Sequence, residues 1–554
     1  MGSSDRADVS GAREPEANCS STVGLSVASG PFPELDGATI ADLGAGFRAG
    51  EFSIRELVGR YLERIEALDC HGPRLLSVIE INPEAMDIAD ALDHELRSRG
   101  PRGPLHGIPV LLKDNIDTAD QMLTTAGSLA LKGSRPQRDA FVVRRLREAG
   151  ALLLGKTNMS EWANFRSPRS SSGWSARGGQ CRNPYILDVS PCGSSSGSAA
   201  AIAASLAAVA VGTETDGSIV CPASVNSVVG IKPTLGLVSR AGVIPIAHSQ
   251  DTVGPFGRTV SDAAALLGVL TGADPRDGAT MSGGSPRSQG DSGSDARDYS
   301  RYLDAEGLRG ARIGVPRTVY WGNSEKSDAI AEAALALMRQ LGAKVIDPAD
   351  IPTAEALHEE PGEIEVLLYE FKHDLDAYLV ERGDPTIRSL EDLIRFNEEH
   401  AGEEHRYFGQ EHFLRAQEKG PLTDPFYLDA LARNHRLSRQ DGIDAVMEKY
   451  QLDALVTPTQ GPPWAIDLVN GDHDLGTTSS TPAALAGYPI VSVPAGYTFE
   501  RPVGISFLGR PYSEPILIRL AYAFEQAACA RRPPRYLPTH TDELANGLTA
   551  VSAV

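Results

Sequence analysis

Short apolar runs alternate with helical patterns along most of the chain, and this alternation constrains the fold more than any other feature. The runs have the length and composition of buried strands: IPVLL, ALLLG, LAAVAVG, VVGIK, ARIGVP, LDALVTPT, PIVSVPAG and VGISFLG. Helical periodicity lies between them, in FVVRRLREAG and SDAAALLGVLTG and at about 326–341, 361–382 and 388–401. The pattern predicts an α/β fold with a large mixed, mainly parallel central sheet covered by helices on both faces.

Changes in composition mark the ends of the folded region in this chain of 554 residues. Residues 1–30 are polar and rich in Gly, Ser and Ala, which predicts a disordered tail. Ser53 then opens a capping box, SIRE, which apolar residues follow at helical spacing. The Gly/Ser/Asp-rich segment 276–298 predicts a flexible surface loop, and residues 541–554 resemble a loose tail. We therefore expect a single domain over residues 31–540.

Charge and apolar patterning exclude two classes of partner. The net charge of -21 argues against nucleic acid, because phosphate backbones attract basic surfaces and repel acidic ones. No apolar run approaches the length of about 18 residues that a membrane span needs. The N-terminus lacks the basic and apolar regions of a signal peptide, so we expect a cytoplasmic protein. A leader removed from this chain would be compatible with the same sequence.

The six cysteines are scattered, without C-x-x-C spacing or the density of a disulfide scaffold. This distribution predicts free thiols in a reducing compartment. Cys192 and Cys221 lie close to serine-rich motifs, where we expect small buried thiols rather than nucleophiles.

Metal and phosphate sites find little support. His400 and His405 lack the H-E-x-x-H spacing that places two ligands on one helix face, which favours a solvated surface helix. The segment CGSSSGS is rich in glycine and serine, but no G-K-[ST] follows it as in a phosphate-binding loop. We expect neither a metal ion nor a cofactor.

The segment SPCGSSSGSAAA, residues 190–201, holds three adjacent serines. Gly193 to Gly197 match G-x-S-x-G, which would make Ser195 the nucleophile of a strand-to-helix elbow, with His248 as a weak candidate base. The preceding RNPYILDVSPC is too short and polar for a central strand, and it contains two prolines. Alternatively, these serines position a nucleophile located elsewhere.

Three segments together resemble the amidase signature family of serine hydrolases: GIPVLLKDNIDTADQMLTTAGS, SPCGSSSGSAAA and GTETDGSIVCPAS. The similarity runs from about residue 40 to residue 534. LGKTNMSEWANF, SGWSARGGQCRNPY, VVGIKPTLGLVSR and SQDTVGP look particularly like the bacterial peptide amidases of that family. The resemblance implies the amidase signature fold and a Ser-Ser-Lys triad without histidine. It assigns Lys113 as the base, Ser194 as the relay after a cis Gly193–Ser194 bond, and Ser218 as the nucleophile.

The chemistry suits these residue types. A serine hydroxyl such as that of Ser218 is a poor nucleophile until a base removes its proton. Burial can lower a lysine pKa by roughly 3 to 5 units, and Lys113 ends an apolar run where burial is plausible. From spacing alone, the same lysine fits a strand end paired with Asp114 or Asp117.

The segment TETDGSI predicts an oxyanion hole, because backbone N–H groups can converge in a tight turn. We expect these donors at Thr215, Asp216, Gly217 and Ser218, with Gly217 permitting the turn and Ile219 opening a helix. A purely structural turn is the alternative. Aromatic residues near the motifs fit either a substrate cleft or the core: Trp162, Phe165, Trp174, Tyr185, Tyr369 and Phe371.

The resemblance implies hydrolysis of carboxamides through an acyl-enzyme, most specifically of the C-terminal amide of peptides, with release of ammonia. The expected partner is a small-molecule or short peptide amide, and the expected oligomeric state is a monomer or a homodimer. Three alternatives remain: an aryl acylamidase or carbamate hydrolase, the glutaminase subunit of a tRNA-dependent amidotransferase, and a catalytically silent module that binds extended peptides.

Overall fold

The computed structural model of the protein describes residues 33–281, 298–359, 362–474, 478–540 and 548–550. Within them, twelve strands form one sheet in the order β1-β3-β2-β6-β8-β7-β12-β13-β11-β9-β10, with β14 beside β12, and two short strands pair separately. The strands are β1 Val78–Ile81, β2 Pro109–Lys113, β3 Leu152–Thr157, β4 Trp174–Ser175, β5 Gly179–Gln180, β6 Val209–Glu214, β7 Val229–Lys232, β8 Thr252–Gly257, β9 Arg312–Gly314, β10 Lys344–Ile346, β11 Ala454–Pro458, β12 Ile490–Thr498, β13 Arg501–Leu508 and β14 Leu548–Ala550.

Helices connect and cover these strands. They are α1 Ile40–Ala49, α2 Ile54–Ile65, α3 Ala85–Arg99, α4 Phe141–Glu148, α5 Ser196–Ala203, α6 Val220–Val225, α7 Val260–Leu270, α8 Glu325–Gln340, α9 Ala354–Glu359, α10 Gly362–Arg382, α11 Leu390–Glu399, α12 Ala401–Glu404, α13 Glu411–Gln417, α14 Pro425–Ser438, α15 Asp444–Tyr450, α16 Thr481–Ala486 and α17 Glu514–Ala528. Every residue of β2, β3, β6, β8 and β12 is buried, so both faces of the sheet are covered.

The predicted elements are confirmed closely. All the apolar runs quoted above overlap a strand, and the three long helical patterns correspond to α8, α10 and α11. At the start of α2, the Ser53 hydroxyl accepts from the Glu56 N–H while the Glu56 carboxylate accepts from the Ser53 N–H, which is the predicted capping box. Local periodicity and capping therefore suffice to place these elements.

Strand direction differs from the expectation in part. The sheet is mixed, as predicted, with parallel pairs β2·β3, β2·β6, β9·β10 and β9·β11. The other pairs are antiparallel: β1·β3, β6·β8, β7·β8, β7·β12, β12·β13, β11·β13 and β12·β14. Mainly parallel pairing therefore holds only toward the two ends of the sheet.

Two segments expected to be irregular contain ordered structure. Residues Gly278–Met281, inside the predicted loop 276–298, form a short 3-10 helix, and Asp277 makes an ion pair of 2.7 Å with Arg240. The rest of that loop through residue 297, and the predicted tail 1–30, lie outside the described residues. In the predicted C-terminal tail, the three residues of β14 pair with the C-terminal part of β12, while β7 pairs with the N-terminal part of the same strand. The residues of β14 are therefore not loose.

The order of the strands positions the candidate site. β2 pairs in parallel with both β3 and β6, so the carboxyl ends of these three strands meet at one edge of the sheet. Lys113 is the last residue of β2, and Thr213 and Glu214 end β6. Ligands of α/β proteins bind at such edges, which makes this the first place to look for chemistry.

Candidate active site

Lys113 is the centre of the site. Its side chain is fully buried at the end of β2. The Nζ atom lies 2.7 Å from Ser194 Oγ, 2.9 Å from Thr213 Oγ1 and 3.1 Å from the Thr213 carbonyl oxygen. Burial lowers the lysine pKa to about 7, although the negative charges of Asp251 and Glu214 oppose that shift. A substantial fraction of this amine is therefore neutral at physiological pH.

A neutral amine has two N–H bonds and one lone pair, and the surroundings of Lys113 can match all three. The Thr213 carbonyl can only accept, and Thr213 Oγ1 also accepts from Asn115 Nδ2 at 3.0 Å. When both contacts to Thr213 take an N–H of the amine, the lone pair faces Ser194. In that arrangement the Ser194 hydroxyl donates a hydrogen bond to the neutral amine, the reverse of the bond that a protonated Lys113 donates to Ser194 Oγ.

The competing role for Lys113, an ion pair with a nearby aspartate, is not what the structure contains. Asp114 pairs with Arg177 at 3.0 Å, and Asp117 accepts from the Tyr378 hydroxyl at 2.8 Å. Both carboxylates therefore have other partners, while the lysine contacts hydroxyl and carbonyl oxygens.

The Gly193–Ser194 peptide bond is cis, as the family resemblance implies. The Ser194 side chain is fully buried. The next residue brings the two serine segments together, because the Ser195 N–H donates to the Ser218 carbonyl at 3.2 Å. No hydrogen bond between the hydroxyls of Ser194 and Ser218 occurs among the described residues.

The Ser195 side chain packs on the central sheet. Its Oγ donates to the Thr213 carbonyl at 3.0 Å, and the side chain is completely buried against β6. His248, its candidate base, contacts Asp374 at 2.8 Å. The elbow interpretation is therefore wrong, since this serine stabilises the packing of α5 on the sheet.

The turn Thr215–Ser218 connects β6 to α6. Gly217 has φ +77°, the left-handed region that glycine adopts most easily. The backbone N–H groups of these four residues donate to no other described residue, so they are available to an oxyanion. The carboxylate of Glu214, the last residue of β6, lies at the start of α6, where it accepts from the N–H groups of Ile219 and Val220.

Cys192 and Cys221 form a disulfide, so the expectation of free thiols at these two positions is wrong. Cys529 is also disulfide-bonded, whereas Cys70 and Cys181 are free. The Cys192–Cys221 bond joins the segment before Ser194 to the helix after Ser218. Only the folded chain reveals this pairing, because 29 residues separate the two cysteines and no spacing motif marks them.

Comparison with known proteins gives the family. The sequence pattern of the family described as Amidase matches residues 56–518. This chain belongs to the amidase family. The peptide amidase of Stenotrophomonas maltophilia is 51% identical and superposes with a TM-score of 0.85, over 91% of this chain and 99% of that one.

Two curated relatives of this amidase cover similar lengths. A probable amidase of Arabidopsis thaliana is 44% identical over 90% of this chain and 92% of the relative. A glutamyl-tRNA(Gln) amidotransferase subunit of Halorhodospira halophila is 38% identical over 88% of this chain and 96% of the relative. The amidase is thus an amide-hydrolysing enzyme.

In the described part of the chain, no helix combines the length and apolar character that a bilayer crossing requires.

The aromatic residues expected near substrate are buried in this amidase. Trp162 packs edge-on against Phe413, and Phe165 packs against Phe371. Trp174 contacts Phe408, and the Tyr369 hydroxyl donates to Asp424 at 2.9 Å. Tyr185 is also buried and donates to the Arg532 carbonyl at 2.6 Å. These contacts give each residue a packing role, while substrate binding by Trp162, Phe165, Trp174 and Tyr369 stays a prediction.

A cavity of about 540 Å³ adjoins the amidase site, and its walls include Asn115, Thr213 and Thr215. Cavities of this size accommodate small ligands. Asp251 also lines it and accepts from Thr215 Oγ1 at 2.6 Å, and burial raises the pKa of its carboxyl to about 6. No motif in the sequence marks Thr213, Glu214 and Asp251 as site residues, although they lie in the quoted segments GTETDGS and SQDTVGP.

One cluster in the described residues has a geometry that could hold a metal ion. Ligand atoms of His248, Glu370 and Asp374 lie within 4.8 Å of one another. Glu370 already accepts from the Tyr427 hydroxyl at 2.8 Å and the Ser249 N–H at 2.9 Å, and His248 Nδ1 contacts Asp374. The three side chains therefore already have hydrogen-bond partners, and His248 and Asp374 form an ion pair when the histidine is protonated.

Proposed function

We propose that the enzyme hydrolyses the C-terminal carboxamide of peptides through a Ser218–Ser194–Lys113 triad and releases ammonia. The observation that carries this proposal is the contact of 2.7 Å between Lys113 Nζ and Ser194 Oγ in a fully buried setting. Burial gives the amine the pKa of a working base, and the contact gives it one hydroxyl through which to act.

The reaction proceeds in two stages. Ser218 Oγ attacks the amide carbon while its proton moves to Ser194 Oγ and the proton of Ser194 moves to Lys113 Nζ. The N–H groups of the Thr215–Ser218 turn stabilise the resulting oxyanion. The protons return along the same path to the amide nitrogen, the C–N bond breaks and ammonia leaves. Lys113 then acts as the base a second time, through Ser194: water loses a proton to it, attacks the acyl-enzyme and releases the acid.

The relay requires the hydroxyls of Ser194 and Ser218 to approach within hydrogen-bond distance. Catalytic hydrogen bonds are often long before substrate binds and tighten in the complex. The backbone contact between Ser195 and Ser218 holds the two segments together, and we expect substrate binding to bring the two hydroxyls into contact without separating these segments.

Substrate choice rests on similarity. The bacterial peptide amidase supports a terminal peptide amide. The same triad serves an aryl acylamidase or carbamate hydrolase, and relative rates on a peptide amide and an acyl anilide would separate these activities. The match to an amidotransferase subunit supports a glutaminase as a second candidate. Such a subunit requires partners, so activity of the isolated chain on a peptide amide would count against it.

Ammonia release from an amidated dipeptide tests the proposal. We expect Ser218→Ala to abolish release, because no other group can form the acyl-enzyme. Lys113→Ala and Ser194→Ala should each lower kcat by roughly 10²-fold or more. Ser195→Ala is the matched control in the same serine cluster, and loss of activity there with retention in Ser218→Ala would overturn the triad.

Other expectations remain proposals. Residues 31–540 form one catalytic domain, and the enzyme is a monomer or a homodimer. The Cys192–Cys221 disulfide argues for a more oxidising compartment, because structural disulfides are rare in the cytosol.

A further inference from the structure

Asp216 connects the oxyanion turn to a neighbouring helix. Its backbone N–H belongs to the turn, and its side chain contacts the start of α16. The Asp216 carboxylate accepts a hydrogen bond from the Ser480 hydroxyl and another, of 2.7 Å, from Thr481 Oγ1. The position of the turn is therefore coupled to that of α16.

A second carboxyl group completes this cluster. Glu363, in the first turn of α10, neighbours the Asp216 carboxylate: it lines the same small cavity as Thr481, which donates to Asp216, and the two carboxyl groups interact directly. Its Oε1 also accepts from Gln250 Nε2 at 2.8 Å. Two carboxyl groups can share a hydrogen bond only if one of them carries a proton. Since Asp216 already accepts from two hydroxyls, the charge belongs on Asp216 and the proton on Glu363.

We propose that Glu363 is a positioning residue for catalysis: as a carboxylic acid it donates to Asp216 and so holds the Thr215–Ser218 turn in its oxyanion-binding shape. The proposal rests on the proposed function of that turn. Through this contact, α10 and α16 both fix the segment that carries the nucleophile. Loss of the proton would place two negative charges side by side and loosen the turn.

The surroundings of Glu363 favour the protonated form. Burial and the adjacent Asp216 charge raise the pKa of Glu363 to about 8. Glu363 lines a small polar cavity of about 140 Å³ together with Tyr320, His358, Thr478 and Thr481. Asp216, the other member of this carboxyl pair, is close to the charged groups of Glu214 and Lys232.

Lys232 is the competing group for any loss of activity at alkaline pH. Its Nζ donates to the Tyr488 carbonyl at 2.7 Å, and burial lowers its pKa to about 8. The test must therefore separate Glu363 from Lys232. Glu363→Gln does so, because the amide can still donate to Asp216 and accept from Gln250 but cannot ionise near this pH.

The experiment measures kcat and KM for an amidated dipeptide from about pH 6 to pH 10 in four proteins: wild type, Glu363→Gln, Glu363→Leu and Glu355→Gln. We expect wild-type kcat to fall as the pH rises through about 8. In Glu363→Gln this alkaline fall should disappear while the acid side of the profile is kept. Glu363→Leu, which has no donor, should lower kcat by about tenfold or more with a smaller change in KM, since the turn acts on the transition state.

Glu355, an exposed residue of α9, is the matched control, and its glutamine variant should follow the wild-type profile. An unchanged alkaline fall in Glu363→Gln would assign it to another group such as Lys232 and overturn the proposal. Wild-type kcat in Glu363→Leu would overturn it as well. Should Glu363→Leu fail to fold, the profile of Glu363→Gln decides alone. Failure of the proposed function differs from all of these, because wild type itself would then release no ammonia.

Discussion

At the scale of single residues, the central fact is a lysine that the fold keeps partly uncharged. An amine pKa lowered from 10.5 to about 7 corresponds to roughly 5 kcal/mol of lost stabilisation of the charged form. No carboxylate makes an ion pair with Lys113 among the described residues, and its contacts are two hydroxyls and one carbonyl. These contacts supply hydrogen bonds but no paired negative charge, so the cost of burying the ammonium ion is not offset by an ion pair, which suits a base.

Replacing Lys113 separates activity from stability. Protonated below about pH 7, the wild-type lysine cannot accept a proton, so kcat/KM should fall as the pH drops through about 7. Lys113→Met should lower kcat/KM by roughly 10²-fold or more at neutral pH. Lys113→Arg should be equally impaired, because an arginine stays charged.

Stability should respond differently. The folded-state pKa of Lys113 is below its unfolded value, so its contribution to stability rises with pH between about 7 and 10.5. At neutral pH, Lys113→Met removes the energetic cost of burying a titratable amine. We therefore expect the free energy of unfolding of the variant to equal or exceed that of wild type. Denaturant unfolding measures this, and a destabilised Lys113→Met protein, or one with wild-type kcat/KM, would contradict the role of a buried base.

At the scale of elements, the sequence predicts the helices, but it does not predict the contacts between distant segments. Local spacing placed α8, α10 and α11 within two residues of their observed bounds, because amphipathic periodicity is a property of neighbouring residues. The disulfide between Cys192 and Cys221 depends on how α5 and α6 pack, which no local pattern encodes. Glu363 was equally hidden, since it lies 147 residues from the Asp216 that it contacts in the fold.

The disulfide should stabilise the site. Closing a loop of 29 residues restricts the unfolded chain, so we expect the double variant Cys192→Ser, Cys221→Ser to lose about 2–4 kcal/mol in free energy of unfolding. Because the bond joins both serine segments, kcat should fall with it. Cys70→Ser, at an exposed free cysteine, is the control and should match wild type in both measurements. Equal stability of the double variant and this control would show that the bond adds nothing.

At the scale of the whole molecule, the sheet brings distant segments of the chain to one edge. Lys113 and Thr213 are 100 residues apart in sequence, yet parallel pairing of β2 with β6 places them in contact. Alternating strands and helices predicted a large covered sheet, but not its seven antiparallel pairs, because strand direction depends on connections between remote segments. The proposed triad comes from the resemblance to a family, because periodicity and composition alone do not single out Lys113, Ser194 and Ser218.

Labelling with a fluorophosphonate is the sharpest test of Lys113 as the base that activates Ser218, because the reagent reacts with an activated serine whatever the natural substrate is. Mass spectrometry of the digested protein locates the adduct, and the labelling rate is followed against pH. We predict one adduct, on Ser218, with a rate that rises as the pH increases through about 7 and a loss of labelling in Lys113→Met. An adduct on Ser195, or labelling of Ser218 at an unchanged rate in Lys113→Met, would contradict the account.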